Sequence, residues 1–274
     1  MKFENTSLIY FSPTSTTRLV LEEIAKGIGK ENFPVIDITN PKVRNQSASE
    51  FDNSMVILGA PVYAGRVAKD AADFFKTIKG SGSLVVLVVL YGNREFEDAL
   101  LELKNIAVDK GFIPLAAGAF IGEHSYCTDE MVIAANRPDE NDLKKAYVFG
   151  RKIADSLNNI ESATDIIPVQ VPGNFPYREG MGEKAFSFIN VTKECDDCGI
   201  CVIACPKNAI DESNNYSTID ENCIFCCACI KACPRQARIL KDGPIKDKVK
   251  WLNENCAERK EPQTYFSGSI NNDA

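Results

Sequence analysis

The chain has 274 residues, 45% of them hydrophobic and 25% charged, and a net charge of −7. The length suits two domains, and the composition is that of a globular protein, neither disordered nor fibrous. The acidity argues against nucleic acid or an anionic membrane as partner, because both select clustered Lys and Arg. The most apolar run, Leu84–Leu90, is too short to span a bilayer, so no membrane span is expected. The opening MKFENTSLIYF lacks the pattern of a secretory leader, and the protein is read as cytoplasmic. In that reducing setting the eleven cysteines call for metal, catalysis or chance, not a disulfide framework.

In chain order, Ser7–Phe11 reads as a strand and Thr16–Gly29 as a helix with Leu19, Val20, Ile24 and Ile28 on one face. Strands follow at Val35–Ile38, Met55–Ala60, Leu84–Tyr91 and Ile113–Ile121. Helices alternate with them at Lys69–Lys79, Glu95–Lys110 and Asn141–Leu157. Five buried strands alternating with helices predict an α/β fold, a parallel sheet covered on both faces, over residues 1–162. In such sheets the ligand sits beyond the carboxyl ends of the strands.

The first strand-end loop is Ser12-Pro13-Thr14-Ser15-Thr16-Thr17, where five of six residues carry a hydroxyl. Hydroxyls and free N–H groups at a helix start make an anion site suited to phosphate. Simple capping needs only one or two such residues. There is no Gly-Lys-Ser/Thr, so this is not a Walker A loop. The loop resembles the phosphate loop of the flavodoxin family, Thr/Ser-x-Thr-Gly-x-Thr, with Ser15 in place of the glycine. The resemblance covers about residues 2–160. It implies a five-stranded sheet of order 2-1-3-4-5 and FMN as cofactor, with Ser12, Thr14, Ser15, Thr16 and Thr17 at the phosphate. It also implies that the loops Pro61-Val62-Tyr63-Ala64-Gly65-Arg66 and Tyr91-Gly92-Asn93 hold the flavin ring, with Tyr63 and Tyr91 as aromatic contacts. Gly65 and Gly92 permit close backbone approach. His124, the only histidine, follows the fifth strand. It is a candidate flavin donor or proton shuttle, against the plainer reading of a surface or capping residue.

Nine cysteines fall within Cys195–Cys233, in a repeat that brings Cys195 onto Cys223. Both copies read C-x2-C-x2-C-x3-C-P: Cys195, Cys198, Cys201, Cys205 and then Cys223, Cys226, Cys229, Cys233. Three thiolates two residues apart wrap one cubane, and the fourth cysteine points to the other. On that rule Cys195, Cys198, Cys201 and Cys233 hold one [4Fe-4S] cluster, and Cys223, Cys226, Cys229 and Cys205 hold a second. Structural zinc usually takes pairs of ligands separated by a longer loop, which fits this spacing poorly. Cys227 falls between ligand positions as a loop filler, and Cys127 and Cys256 read as small apolar residues. The segment Phe188–Leu240 resembles a bacterial-type two-cluster ferredoxin, which implies a ferredoxin domain over residues 188–243.

Residues 163–187 form a Pro/Gly-rich connector, without regular structure over Ile167–Glu183. Its Asn174, Phe175, Tyr177 and Arg178 either pack across the flavin rim or serve a plain linker. In 244–274 a helix over Lys246–Glu258 is expected to dock on the body, and Ser267–Ala274 to be disordered. The whole arrangement resembles the flavodoxin–ferredoxin fusion proteins of anaerobes. That implies electron relay between two [4Fe-4S] clusters and FMN, with a redox protein or small acceptor as partner; a homodimer is left open. The competing classes are a flavin-dependent reductase acting on a small acceptor and a zinc-stabilised binding module.

Overall fold

The computed structural model describes residues 5–29, 31–46, 49–158, 160–180, 182 and 186–269. The first two-thirds contain β1 (Asn5–Tyr10), α1 (Thr16–Gly27), β2 (Val35–Asp37), α2 (Pro41–Arg44), β3 (Ser54–Tyr63), β4 (Arg66–Val67) and α3 (Lys69–Phe75). They continue with β5 (Leu84–Tyr91), α4 (Ala99–Asp109), β6 (Ile113–Ile121), α5 (Glu140–Asn158) and β7 (Ile166–Ile167). Five strands pair in parallel in the order β2-β1-β3-β5-β6, the flavodoxin-like order expected from sequence. β5 is buried along its whole length. Val85, Leu87 and Val89 enter the core on one face of the sheet, and Leu84, Val86, Val88 and Leu90 enter the core on the other. A continuous aliphatic run, not an alternating one, is what a strand covered on both faces requires.

The last third contains β8 (Ile189–Val191), α6 (Ile200–Ala204), β9 (Ile210–Asp211), β10 (Ser217–Thr218), α7 (Ala228–Lys231), β11 (Arg238–Leu240) and α8 (Pro244–Asn255). It ends in β12 (Gln263–Phe266) and β13 (Gly268–Ser269). Two short antiparallel pairs, β8 with β11 and β9 with β10, carry the two cysteine loops between them. The backbone repeats as the sequence does. Asp197 and Phe225 have φ of 58° and 59°, Gly199 and Cys227 have 73° and 55°, and Asn208 and Gln236 both have 50°. Cys227 thus occupies a left-handed position that glycine fills in the first copy, where a Cβ is unfavourable.

Three expectations are corrected. The sheet is larger than five strands, because β12 pairs antiparallel with β6, with Tyr265 opposite Ala117, and β4 folds back on β3. The connector is not without regular structure at its start: Ile166–Ile167 pairs with Gly268–Ser269, and Val169 donates its N–H to the Pro114 carbonyl at 3.0 Å. The tail is therefore ordered through Ser269, and Ile270–Ala274 lie outside the described residues, as do Met181 and Glu183 of the connector. No described helix is long and apolar enough to cross a membrane.

The chain leaves the α/β domain, forms the cysteine domain, and returns to the edge of the first sheet. The return segment is held by side chains of the α/β domain. Asn93 donates to the carbonyls of Cys256 and Glu258 at 2.7 and 2.8 Å, and Arg137 donates to that of Lys260 at 2.8 Å. Arg259 pairs with Asp139 at 2.7 Å.

Candidate redox sites

A cavity of about 240 Å³ opens beyond the carboxyl ends of β1, β3, β5 and β6. Thr14 and Thr16 line one end. Pro61, Val62, Tyr63 and Gly65 come from the β3–β4 turn, Tyr91 and Gly92 from the end of β5, and His124 from the loop after β6. Ser12, Ser15, Thr17, Arg66 and Asn93 are not in its wall.

The loop after β1 is shaped by Ser15, which adopts φ of 65°, the conformation expected of the glycine it replaces, and makes no capping bond with its side chain. Ser12 Oγ accepts the Arg18 N–H at 3.1 Å. Thr17 Oγ1 is buried without a hydrogen-bond partner. In the β3–β4 turn, Ala64 and Gly65 both have positive φ, 52° and 80°, as a two-residue turn between paired strands requires.

Arg66 turns away from the cavity. It forms a two-pronged pair with Glu102, at 2.8 and 2.7 Å, donates to the Arg178 carbonyl at 3.0 Å, and covers the Tyr177 ring at 4.6 Å. The connector is thereby fastened to the rim, with Asp98 accepting the N–H groups of Asn174 and Arg178 at 2.8 and 2.7 Å. Asn93 is also diverted: it is only 2% exposed and grips the return segment. Tyr91 is a wall of the cavity, but its ring is buried against Phe96, 5.5 Å between centroids, and is not a free stacking surface.

His124 is half-buried in the cavity wall, and burial together with the charges of Arg94, Lys231 and Lys248 lowers its pKa to about 4, so it is neutral at pH 7. Its Nδ1 accepts the Tyr126 N–H at 3.1 Å, which leaves the proton of the neutral ring on Nε2. A Cβ at Gly92 would collide with His124 Cδ2, so glycine is what lets the imidazole sit there.

The roof of the cavity comes from the last third of the chain: Phe225, then Ile245, Lys248 and Leu252 of α8. Phe225 stands between Cys223 and Cys226 and packs edge-on against Phe188, at 4.6 Å. Its neighbour Ile224 packs against the core of the α/β domain. Ion pairs flank this seam. Lys231 meets Glu123 at 2.5 Å, and Lys207 meets Asp70 at 2.8 Å; Arg44, stacked over Phe11, donates to the Pro206 carbonyl.

The cysteines stand around two voids. Cys195, Cys198, Cys201 and Cys233 line one, with Tyr216 and Arg238. Cys205, Cys223, Cys226 and Cys229 line the other, with Cys227. Among the described residues no three His, Cys, Asp or Glu converge tightly enough to hold a single ion. The fourth cysteine of each copy is held alike: Ala209 N–H donates to Cys205 Sγ and Ala237 N–H to Cys233 Sγ, both at 3.2 Å. The first void is the outer one, with Cys198 exposed, whereas Cys226 and Cys229 of the second are buried. Burial pushes the Cys223 thiol up to about 11 and Cys226 higher, so these become thiolates at neutral pH only beside compensating positive charge, as metal supplies. Cys127 and Cys256 belong to an apolar cluster with Ile133, Val249 and Leu252. Sequence reasoning missed Arg238, Arg137 and the return strand. Thr264, Tyr265 and Phe266 between Pro262 and Gly268 carried a strand signal.

Residues 187–234 match the model of a family described as "4Fe-4S dicluster domain". No curated protein matched the chain. Among solved structures, the flavodiiron core from Synechocystis is 20% identical over 57% of this chain and 36% of its own, with a TM-score of 0.36. The flavodoxin of Fusobacterium nucleatum bound to flavin mononucleotide is 18% identical over 57% of this chain and 99% of its own, with a TM-score of 0.36. The rubredoxin oxygen:oxidoreductase of Desulfovibrio gigas is 15% identical over 57% and 36%, with a TM-score of 0.40. This chain spans about a third of the length of the flavodiiron core. By its strand order and its cysteine segment, the chain joins a flavodoxin-like α/β domain to a dicluster ferredoxin-like domain.

Proposed function

We propose that the protein transfers electrons between two [4Fe-4S] clusters, held by the two crossed cysteine sets, and an FMN in the cavity above the sheet. The observation that carries this reading is Phe225, which belongs to the cysteine loop of the inner set and at the same time lines the cavity. When bound, the clusters carry single electrons and the flavin takes them singly up to two, which makes it the converter between the two kinds of carrier.

The residues fit these groups. Thr14 and Thr16, which line the cavity at the N-terminus of α1, suit a phosphate there. His124 offers a fixed Nε2–H to a ring acceptor. Each set of four sulfurs lines one void, and the C-x2-C-x2-C-x3-C-P spacing suits a polynuclear cluster better than zinc. The sites then lie in series, with the exposed cysteine set outermost, the buried set next and the cavity innermost. The partner, a redox protein or small acceptor, would meet the outer set at Cys198. Phe225, Ile245 and Leu252 over the cavity support relay in preference to direct reduction of a small substrate at an open flavin face.

The test is an anaerobic redox titration followed optically and by EPR, with iron, sulfide and flavin assays. The expected result is roughly eight iron atoms and one FMN per chain, with the flavin reduced through the clusters. Two iron atoms or fewer, or no flavin, would overturn the reading.

A further inference from the structure

Arg238 sits in β11 with 2% of its surface exposed. Its Nη1 donates to the Tyr216 carbonyl at 2.6 Å and its Nη2 to Thr218 Oγ1 at 2.7 Å, both neutral acceptors. Nε is buried with no hydrogen-bond partner. Among the described residues no carboxylate pairs with the guanidinium. A buried cation in that state is strongly destabilising unless an anion stands close by.

The anion is indicated by what surrounds it. Nη1 stands 4.0 Å from Cys201 Sγ, and the side chain lines the outer void ringed by Cys195, Cys198, Cys201 and Cys233. The guanidinium also lies near Cys229 of the inner set, but it is not in the wall of the inner void. The fold does not need a charge there. The matching residue of the first repeat is Ile210, buried in the apolar core of this domain. The effect of Arg238 is that of a fixed positive charge.

We propose that Arg238 sets the potential of the outer cluster and makes the two clusters unequal. This rests on the cluster reading above. A cubane held by four thiolates is a net anion and gains one negative charge for each electron accepted. A guanidinium beside it therefore favours the reduced form, most strongly at the void it lines. The outer cluster becomes the easier of the two to reduce. Arg238 is a tuning residue: it ligates no iron, and its hydrogen bonds to Tyr216 and Thr218 hold it in place.

The experiment is an anaerobic EPR-monitored titration of the full chain carrying Arg238→Met or Arg238→Gln, beside the wild type. The outer signal is identified as the one lost in Cys198→Ser. At a fixed potential, the reduced-to-oxidised ratio of the outer cluster should fall at least tenfold in both variants, about 59 mV for a one-electron couple. The inner cluster should shift less. If Arg238→Met fails to hold iron, Arg238→Gln, which keeps hydrogen-bonding groups without the charge, decides the matter. Full iron with no shift, or equal shifts at both clusters, overturns the proposal. A wild type with too little iron for two cubanes instead overturns the cluster reading itself.

Discussion

Lys231 of α7 places its ammonium 2.5 Å from Glu123 and 2.6 Å from the carbonyl of Cys127, tying the helix of the inner cysteine set to the loop that carries His124. The pair is only part-buried, so its contribution to stability is modest, about 1 kcal/mol. Its position gives it a larger effect on the seam. Lys231→Met should keep iron and flavin content while slowing flavin reduction through the clusters several-fold, measured by anaerobic stopped flow. Wild-type rates would show that this bond does not hold the two sites in register.

The crossed arrangement of the cysteines separates two outcomes. Cys233→Ser should remove the outer cluster although Cys233 lies in the second repeat, and Cys205→Ser should remove the inner one although it lies in the first. Each should leave roughly four iron atoms by assay. Cys227→Gly should keep all of the iron, because glycine adopts the left-handed backbone there, φ of 55°, without strain. Loss of iron in Cys227→Gly would make Cys227 a ligand.

His124 gives the apo protein a pH dependence of definite sign. Its pKa is near 6.5 when unfolded and about 4 when folded. Between those values the unfolded chain binds more protons, so stability falls as pH drops from about 6.5 through about 4. The loss is on the order of 3 kcal/mol. Denaturant midpoints of the apo protein at pH 7 and pH 4.5 should therefore differ more in wild type than in His124→Asn. Equal pH dependence in the two proteins would show that the imidazole is not held neutral by its surroundings.

Gly92→Ala places a methyl group where His124 Cδ2 now lies. The imidazole or the loop has to move, at a cost of about 1–3 kcal/mol. Flavin retention on gel filtration should fall at least tenfold, with iron content unchanged. Retention at wild-type level would remove the imidazole from the flavin site.

The sequence carried most where spacing is itself the constraint. The cysteine repeat assigned sulfurs to two groups, and the structure places those same groups around separate voids. The aliphatic run Leu84–Tyr91 reads as a buried strand, and it is β5. Long-range partners were not legible. Asn93 looks like a rim residue in its own loop, yet its bonds go to carbonyls at Cys256 and Glu258. Arg66 of β4 follows the same pattern, because its partner Glu102 lies on α4. The left-handed backbone at Ser15 went unseen because the glycine expected there is missing. Arg238 falls in a short run with no local signal, and only the fold brings its charge to the cysteines.

The roof over the cavity joins parts of the chain that lie far apart in sequence. α8 and the Phe225 loop cover the strand-end loops of β3 and β5, and the segment after α8 returns to the sheet as β12 beside β6. The shape of the cavity therefore depends on how the cysteine domain and α8 seat on the sheet, so a substitution far from the floor of the cavity can change what it admits.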